Sequence, residues 1–177
     1  ASRMASDSRQ LDDFAQEARS FCRWATGADG TPMSAPLALR RESTLYAAAL
    51  DLTSPFTQDM SEDVAEVEPP PGSVRMVAAR ASALPLQIYW EVFDPIATPC
   101  EEPVAGSIVD DLVDMYRDVA RGLVLFDSGD RDGALWEWAF NFRIHWGEHA
   151  TGALRALHAY LAQENPDGLS RDLSRDA

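Results

Sequence analysis

The sequence predicts an all-α protein, a single-domain helical bundle of about five main helices with a long buried C-terminal helix. Three observations carry that expectation. Apolar residues recur at three- and four-residue steps in several long segments, while the period-two pattern of strands is almost absent. The 177 residues make one ordinary domain, long enough to bury a core. A hydrophobic share of 46% is normal for a globular chain, and no apolar run reaches the length of a membrane span.

The first segment, residues 8–25, carries Leu11, Phe14, Ala18, Phe21 and Cys22 on one face, and the Gly- and Pro-containing stretch 27–36 ends it. The second, 36–52, repeats Leu45, Ala48, Ala49 and Leu52 and stops before Pro55. Residues 54–72 hold five acidic groups and no basic one, then three prolines and Gly72, which reads as an acidic, Pro-rich loop. A third segment, 73–93, contains Pro85, expected to kink or divide it. A loop with Pro95, Pro99 and Pro103 follows. The fourth segment spans 107–126 and the fifth 132–163, with Asp130 or Asp132 placed to cap the latter. The fifth is apolar around most of its circumference, which predicts the central, most buried helix, with Trp136, Phe140 and Trp146 as core anchors. These segments set a bundle domain at 8–163 and a disordered polar tail at 164–177.

A net charge of −14 excludes nucleic-acid binding and disfavours anionic membranes, both of which require a basic surface. It leaves room for a basic protein partner or a cationic ligand. All fifteen basic residues are arginine, so Schiff-base, pyridoxal-phosphate and P-loop lysine chemistry are excluded. Cys22 and Cys100 lack metal-ligand spacing and read as free thiols, and with no signal-peptide pattern the expected location is cytoplasmic.

Chemistry concentrates in the last two segments. On the fourth, Ile108, Leu112, Met115, Val119, Leu123 and Phe126 form a core stripe, with Asp111, Asp114 and Asp118 along one edge and Gly122 continuing it. On the fifth, Trp138, Asn141, Phe142, His145, Glu148, His149, Gly152 and Ala156 share a face. Two imidazoles one turn apart, opposite carboxylates of a facing helix, are the parts from which helical bundles build metal sites. A divalent metal would use His145, His149, Asp111 and Asp114. Because Glu148 precedes the second histidine, the zinc-protease HExxH arrangement is not met.

Three functional readings follow. A small polar ligand, or a protein partner, would sit between the two helices against Asp111, Asp114, Asp118, Asn141, His145, Glu148 and His149, with Trp138 as an apolar wall. A metal-dependent hydrolase would use the same Asp/His cluster. A structural or adaptor protein would use the histidines only to fix helix register against Asp111 or Asp118, and offer the acidic 54–72 loop to a basic partner. His158 lies on the other side of the fifth helix and reads as a surface residue.

The chain also resembles a known family. Tyr89-Trp-Glu-Val-Phe-Asp-Pro95, the Asp110–Asp118 run, and Trp136-Glu-Trp138 with His145-Trp-Gly-Glu-His149-Ala150 are similar to a small, uncharacterised bacterial all-helical family, the domain of unknown function 5063. The resemblance covers about residues 11–161 and implies a cytoplasmic helical fold. Its motif residues coincide with the two segments just singled out, and it implies no catalytic roles.

Overall fold

The computed structural model describes residues 2–52 and 66–170. Seven helices and a two-stranded antiparallel sheet lie among them: α1 (Ser2–Thr26), α2 (Ala35–Leu50), α3 (Ser73–Ala81), β1 (Ile88–Glu91), β2 (Val104–Ser107), α4 (Ile108–Ser128), α5 (Arg131–Asn141), α6 (Gly147–Glu164) and α7 (Asp167–Ser170). A single π-helical turn, Phe142–Trp146, joins α5 to α6, so the fifth predicted segment is one long helix with a wider turn inside it. The fold is a predominantly helical single domain, as the periodicity predicts.

The centre of the bundle is α4, not the C-terminal helix. It packs on α1, α3, α5 and α6 and buries residues around most of its circumference, from Ile108 to Leu125. The apolar composition of the C-terminal segment misleads here because much of it is alanine, which covers a flank as readily as a centre. Its inner face is still buried, through Ala134, Trp138, Trp146, Ala150, Ala153 and Leu157. Trp146 is a core anchor, whereas Trp136 and Phe140 stack on each other at 4.6 Å in half-buried positions. Phe14 of α1 meets Trp138 edge-on at 4.9 Å, locking the N-terminal helix against the C-terminal one.

Helix ends follow their chemistry. Ser107 accepts a hydrogen bond from the Asp110 amide and caps α4, whose first turn carries Asp110 and Asp111 toward the positive end of the dipole. Asp130 caps α5 by accepting from the Gly133 amide at 2.9 Å. At the end of α1, Arg80 donates to the carbonyls of Trp24 and Ala25 and to that of Thr31 in the loop beyond, tying the helix end to the following turn. Gly27 sits there at φ 82°, and its lack of a Cβ leaves the space this guanidinium fills.

Two further expectations need correction. The third segment is helical only to Ala81. After a turn through Pro85 the chain becomes β1, paired with β2 in the register Tyr89↔Gly106. The hairpin ends directly in the α4 cap, and the Ile108 amide donates to the Gln87 carbonyl at 3.0 Å, so the sheet fixes where α4 begins. The tail expected from residue 164 onward is helical at Asp167–Ser170, with Leu169 against the core. Of the acidic loop, residues 66–72 lead into α3 with Pro69 buried and Glu68 beside Arg121, while residues 53–65 and 171–177 lie outside the described residues. Cys22 and Cys100 are free thiols, the first packed against the core and the second exposed. Among the described residues no helix is long and apolar enough to cross a membrane.

Candidate metal centre

The three aspartates of α4 stand at i, i+3 and i+7, a spacing that lines them up along one helix edge. That edge faces the π-helical turn and the start of α6. The His145 Nδ1–H donates to Asp118 Oδ2 at 2.7 Å, and the His149 Nδ1–H donates to Asp111 Oδ1 at 2.8 Å. Donation from Nδ1 follows from the carboxylate partner, which can only accept when ionised, so Nε2 is the nitrogen of each ring that Asp111 and Asp118 leave unengaged. Between the two pairs lies Asp114, whose Oδ2 is 3.5 Å from His149 Nε2. The imidazole rings are 4.9 Å apart and nearly perpendicular. Asp114, His145 and His149 each bring one ligand atom within 4.8 Å of the other two.

Burial separates the roles of the aspartates. Asp111 and Asp118 are only 3% exposed, whereas the Asp114 side chain is open to solvent on one side. Asp111 has both oxygens engaged, because the Tyr89 hydroxyl donates to Oδ2 at 2.9 Å. Both of its oxygens are thus hydrogen-bonded, and of the four residues expected to meet a metal, Asp114, His145 and His149 are the three whose ligand atoms converge. Arg121 lies 3.7 Å from Asp118, and Arg117 lies 3.3 Å from Asp114.

The site carries more buried carboxyl groups than basic partners. Burial pushes Asp111 and Asp118 above the ordinary aspartate range, against the hydrogen bonds from their histidines. The bond to Asp111 in turn pushes His149 up, so that pair holds its proton more firmly than either group alone. Burial, then the nearby Asp118, raises Glu137 of α5. Glu42 of α2 is fully buried with neither carboxylate oxygen hydrogen-bonded, and burial and the neighbouring Asp111 push it well above the usual carboxyl range. Tyr89 is driven up by burial and by Asp111, which keeps its hydroxyl protonated as a donor.

The other expected contacts fall elsewhere. Trp138 is wholly enclosed. Its indole N–H donates to the Val119 carbonyl at 2.9 Å, and it lies over Gly122, whose missing side chain makes room for that ring rather than for a ligand. Asn141 donates to the Glu137 carbonyl of its own helix. Glu148 is exposed, and His158 is a surface residue as expected. The space between α4 and α6 is closed by the Asp–His pairs. The open volume lies beside it, a groove of about 930 Å³ between β1 with its following loop and α6, lined by Glu148 and His149 among the expected residues.

Three participants are not placed at the site by the sequence: Tyr89, Glu91 and Glu42. Tyr89 and Glu91 sit on the inward face of a strand read as helix, and Tyr89 also donates weakly to Glu91 at 3.3 Å. Glu42 had a legible signal. It falls at helical spacing within the stripe Ala38, Leu45, Ala49, a carboxyl where only apolar groups belong.

The model of a family described as Domain of unknown function (DUF5063) matches residues 5–163. The chain is a member of the DUF5063 family. No curated protein matches it. Among solved structures, the crystal structure of protein BF1032 from Bacteroides fragilis is similar at a TM-score of 0.63 and 18% identity, covering 89% of this chain and 94% of that one. That likeness is one of fold.

Proposed function

We propose that this DUF5063 protein binds a divalent transition metal through Asp114, His145 and His149, a centre of the kind that metal-dependent hydrolysis uses. The observation that carries the reading is the convergence of these three ligand atoms within 4.8 Å while both Nδ1 positions are already held by buried aspartates. A carboxylate behind each histidine fixes its tautomer and raises its basicity toward a metal. The surplus of buried carboxyls around the site is the electrostatic setting that a dication relieves. Two imidazoles and one carboxylate suit zinc, iron or manganese better than calcium or magnesium. When bound, such a metal supplies Lewis-acid chemistry and activates water at positions the protein leaves free. The chain's own contribution is to orient the imidazoles through Asp111 and Asp118 and to offer a groove that reaches His149.

Elemental analysis of protein purified without an affinity tag tests the reading. The expected result is about one transition-metal ion per chain, reduced to background by Asp114→Asn combined with His145→Ala. Background metal in the parent protein, with thermal unfolding unmoved by added zinc or manganese, would leave the Asp–His pairs as register-fixing contacts only.

A further inference from the structure

The groove beside the candidate metal centre has a lining that selects by charge. One wall is β1 and the loop after it, and the other is the outer face of α6. Trp90 and Phe93 contribute rings that are 73% and 74% exposed, and Tyr160 faces them from α6. Large aromatic side chains left this open are unusual on a protein surface unless something covers them. Carboxylates of Glu91, Glu148 and Glu164 are set among those rings, with Arg155 and His149 as the basic groups of the lining. Glu148 and Glu164 make no ion pair among the described residues. Aromatic faces and carboxylates around one volume are complementary to an organic cation, which gains from both the ring quadrupoles and the charges. The net charge of −14 adds a long-range field of the same sign. The volume lies within the range of about 300–1,000 Å³ typical of small-molecule sites.

We propose that this groove binds a small organic cation, a protonated amine or guanidine on an apolar or aromatic body. This goes beyond the metal reading. Of the groove residues used above none is a metal ligand, although His149 lines the inner end, so a bound molecule lies next to the proposed metal.

The test is done on metal-free, full-length protein, so that failure of the metal centre and failure of the groove are read separately. Hexylamine, 2-phenylethylamine and tryptamine are titrated by calorimetry beside hexanoate, 3-phenylpropionate and indole-3-propionate, which keep each body and reverse the charge. The expected result is saturable binding of the amines and none of the acids. Trp90→Ala, and separately Glu91→Gln with Glu148→Gln, should weaken amine binding about tenfold, the loss that one cation–π or charged contact of roughly 1–2 kcal/mol implies. Thermal unfolding of these variants should match the parent. Binding of the acids as tight as that of the amines overturns the proposal, as does absence of binding by every amine. A basic peptide that binds where no free amine does also overturns it, and would make the groove a protein-docking surface.

Discussion

At the scale of single residues, the site rests on side chains whose neighbours leave them little choice. Asp118 and Asp111 each hold one imidazole, and replacing either with asparagine keeps shape while removing the charge. Asp118→Asn is expected to lower metal affinity by about 10–100-fold with the fold intact, as loss of a carboxylate behind a ligating histidine does. Competition against a fluorescent chelator measures it, and unchanged affinity would count against the proposed role of Asp118. Glu42 gives a test that needs no metal. A carboxyl whose pKa rises on folding lends stability below its unfolded value, and that contribution is lost as pH rises through the folded value. Its direction here is upward, so the stability of Glu42→Gln relative to the parent should improve steadily from about pH 4 upward toward neutrality, given an unfolded Glu pKa of about 4.3. A pH-independent difference in chemical denaturation would mean that Glu42 does not titrate differently in the two states. Gly122→Ala is expected to destabilise by about 1–3 kcal/mol, because its Cβ would run into the Trp138 indole nitrogen in a packed core. In a chain of this size that is about 2–4 °C of melting temperature per kcal/mol. Asp111, Asp118, His145 and His149 were legible as one cluster from periodicity alone. Trp138 was misread because helical spacing gives direction but not depth, and its face is sealed by α1 and α4.

At the scale of elements, the π-helical turn interrupts an otherwise regular helix and it carries His145. Such turns occur often at functional sites, where one extra residue changes the aim of a side chain. Gly147 permits it, since a Cβ there would collide with the Phe142 carbonyl oxygen. Gly147→Ala is therefore expected to disturb the turn and break the His145–Asp118 hydrogen bond. Proton NMR reads this as loss of the low-field Nδ1–H resonance of His145, with that of His149 retained. Both resonances surviving would show that the turn tolerates a side chain. No residue pattern in Phe142–Trp146 announces a π turn, so sequence periodicity could only return one unbroken helix. The hairpin was hidden for a different reason. Val104-Ala-Gly-Ser107 has little intrinsic strand preference, and tertiary pairing makes it a strand, with Gly106 bare beneath the Tyr89 ring. Losing the hairpin from the sequence reading also lost Tyr89 and Glu91 from the site.

At the scale of the whole molecule, α4 ties the parts together: it is the core helix, the partner of α1, α3, α5 and α6, and the carrier of all three site aspartates. A ligand that grips α4 and α6 together should therefore stabilise the entire fold. With free metal at about a hundred times its dissociation constant, linkage gives about 2.7 kcal/mol of added stability. Melting temperature should rise with zinc or manganese concentration and fall on chelation, and a flat response in the parent protein would contradict the proposed centre. The bundle and its class could be read from sequence because they depend on the repeat of apolar residues. Which helix lies at the centre could not, because alanine-rich and leucine-rich faces score alike in pattern yet differ in the volume they fill.

The two cysteines have opposite surroundings, and that difference has a practical consequence. Cys22 is packed against the core with its thiol driven up by burial, while Cys100 is exposed on the rim of the groove. Maleimide dyes react with accessible thiolates, so near neutrality a fluorophore should attach at Cys100 and spare Cys22. The protein thus offers, without any engineering, an optical reporter anchored at the entrance through which a small molecule would pass.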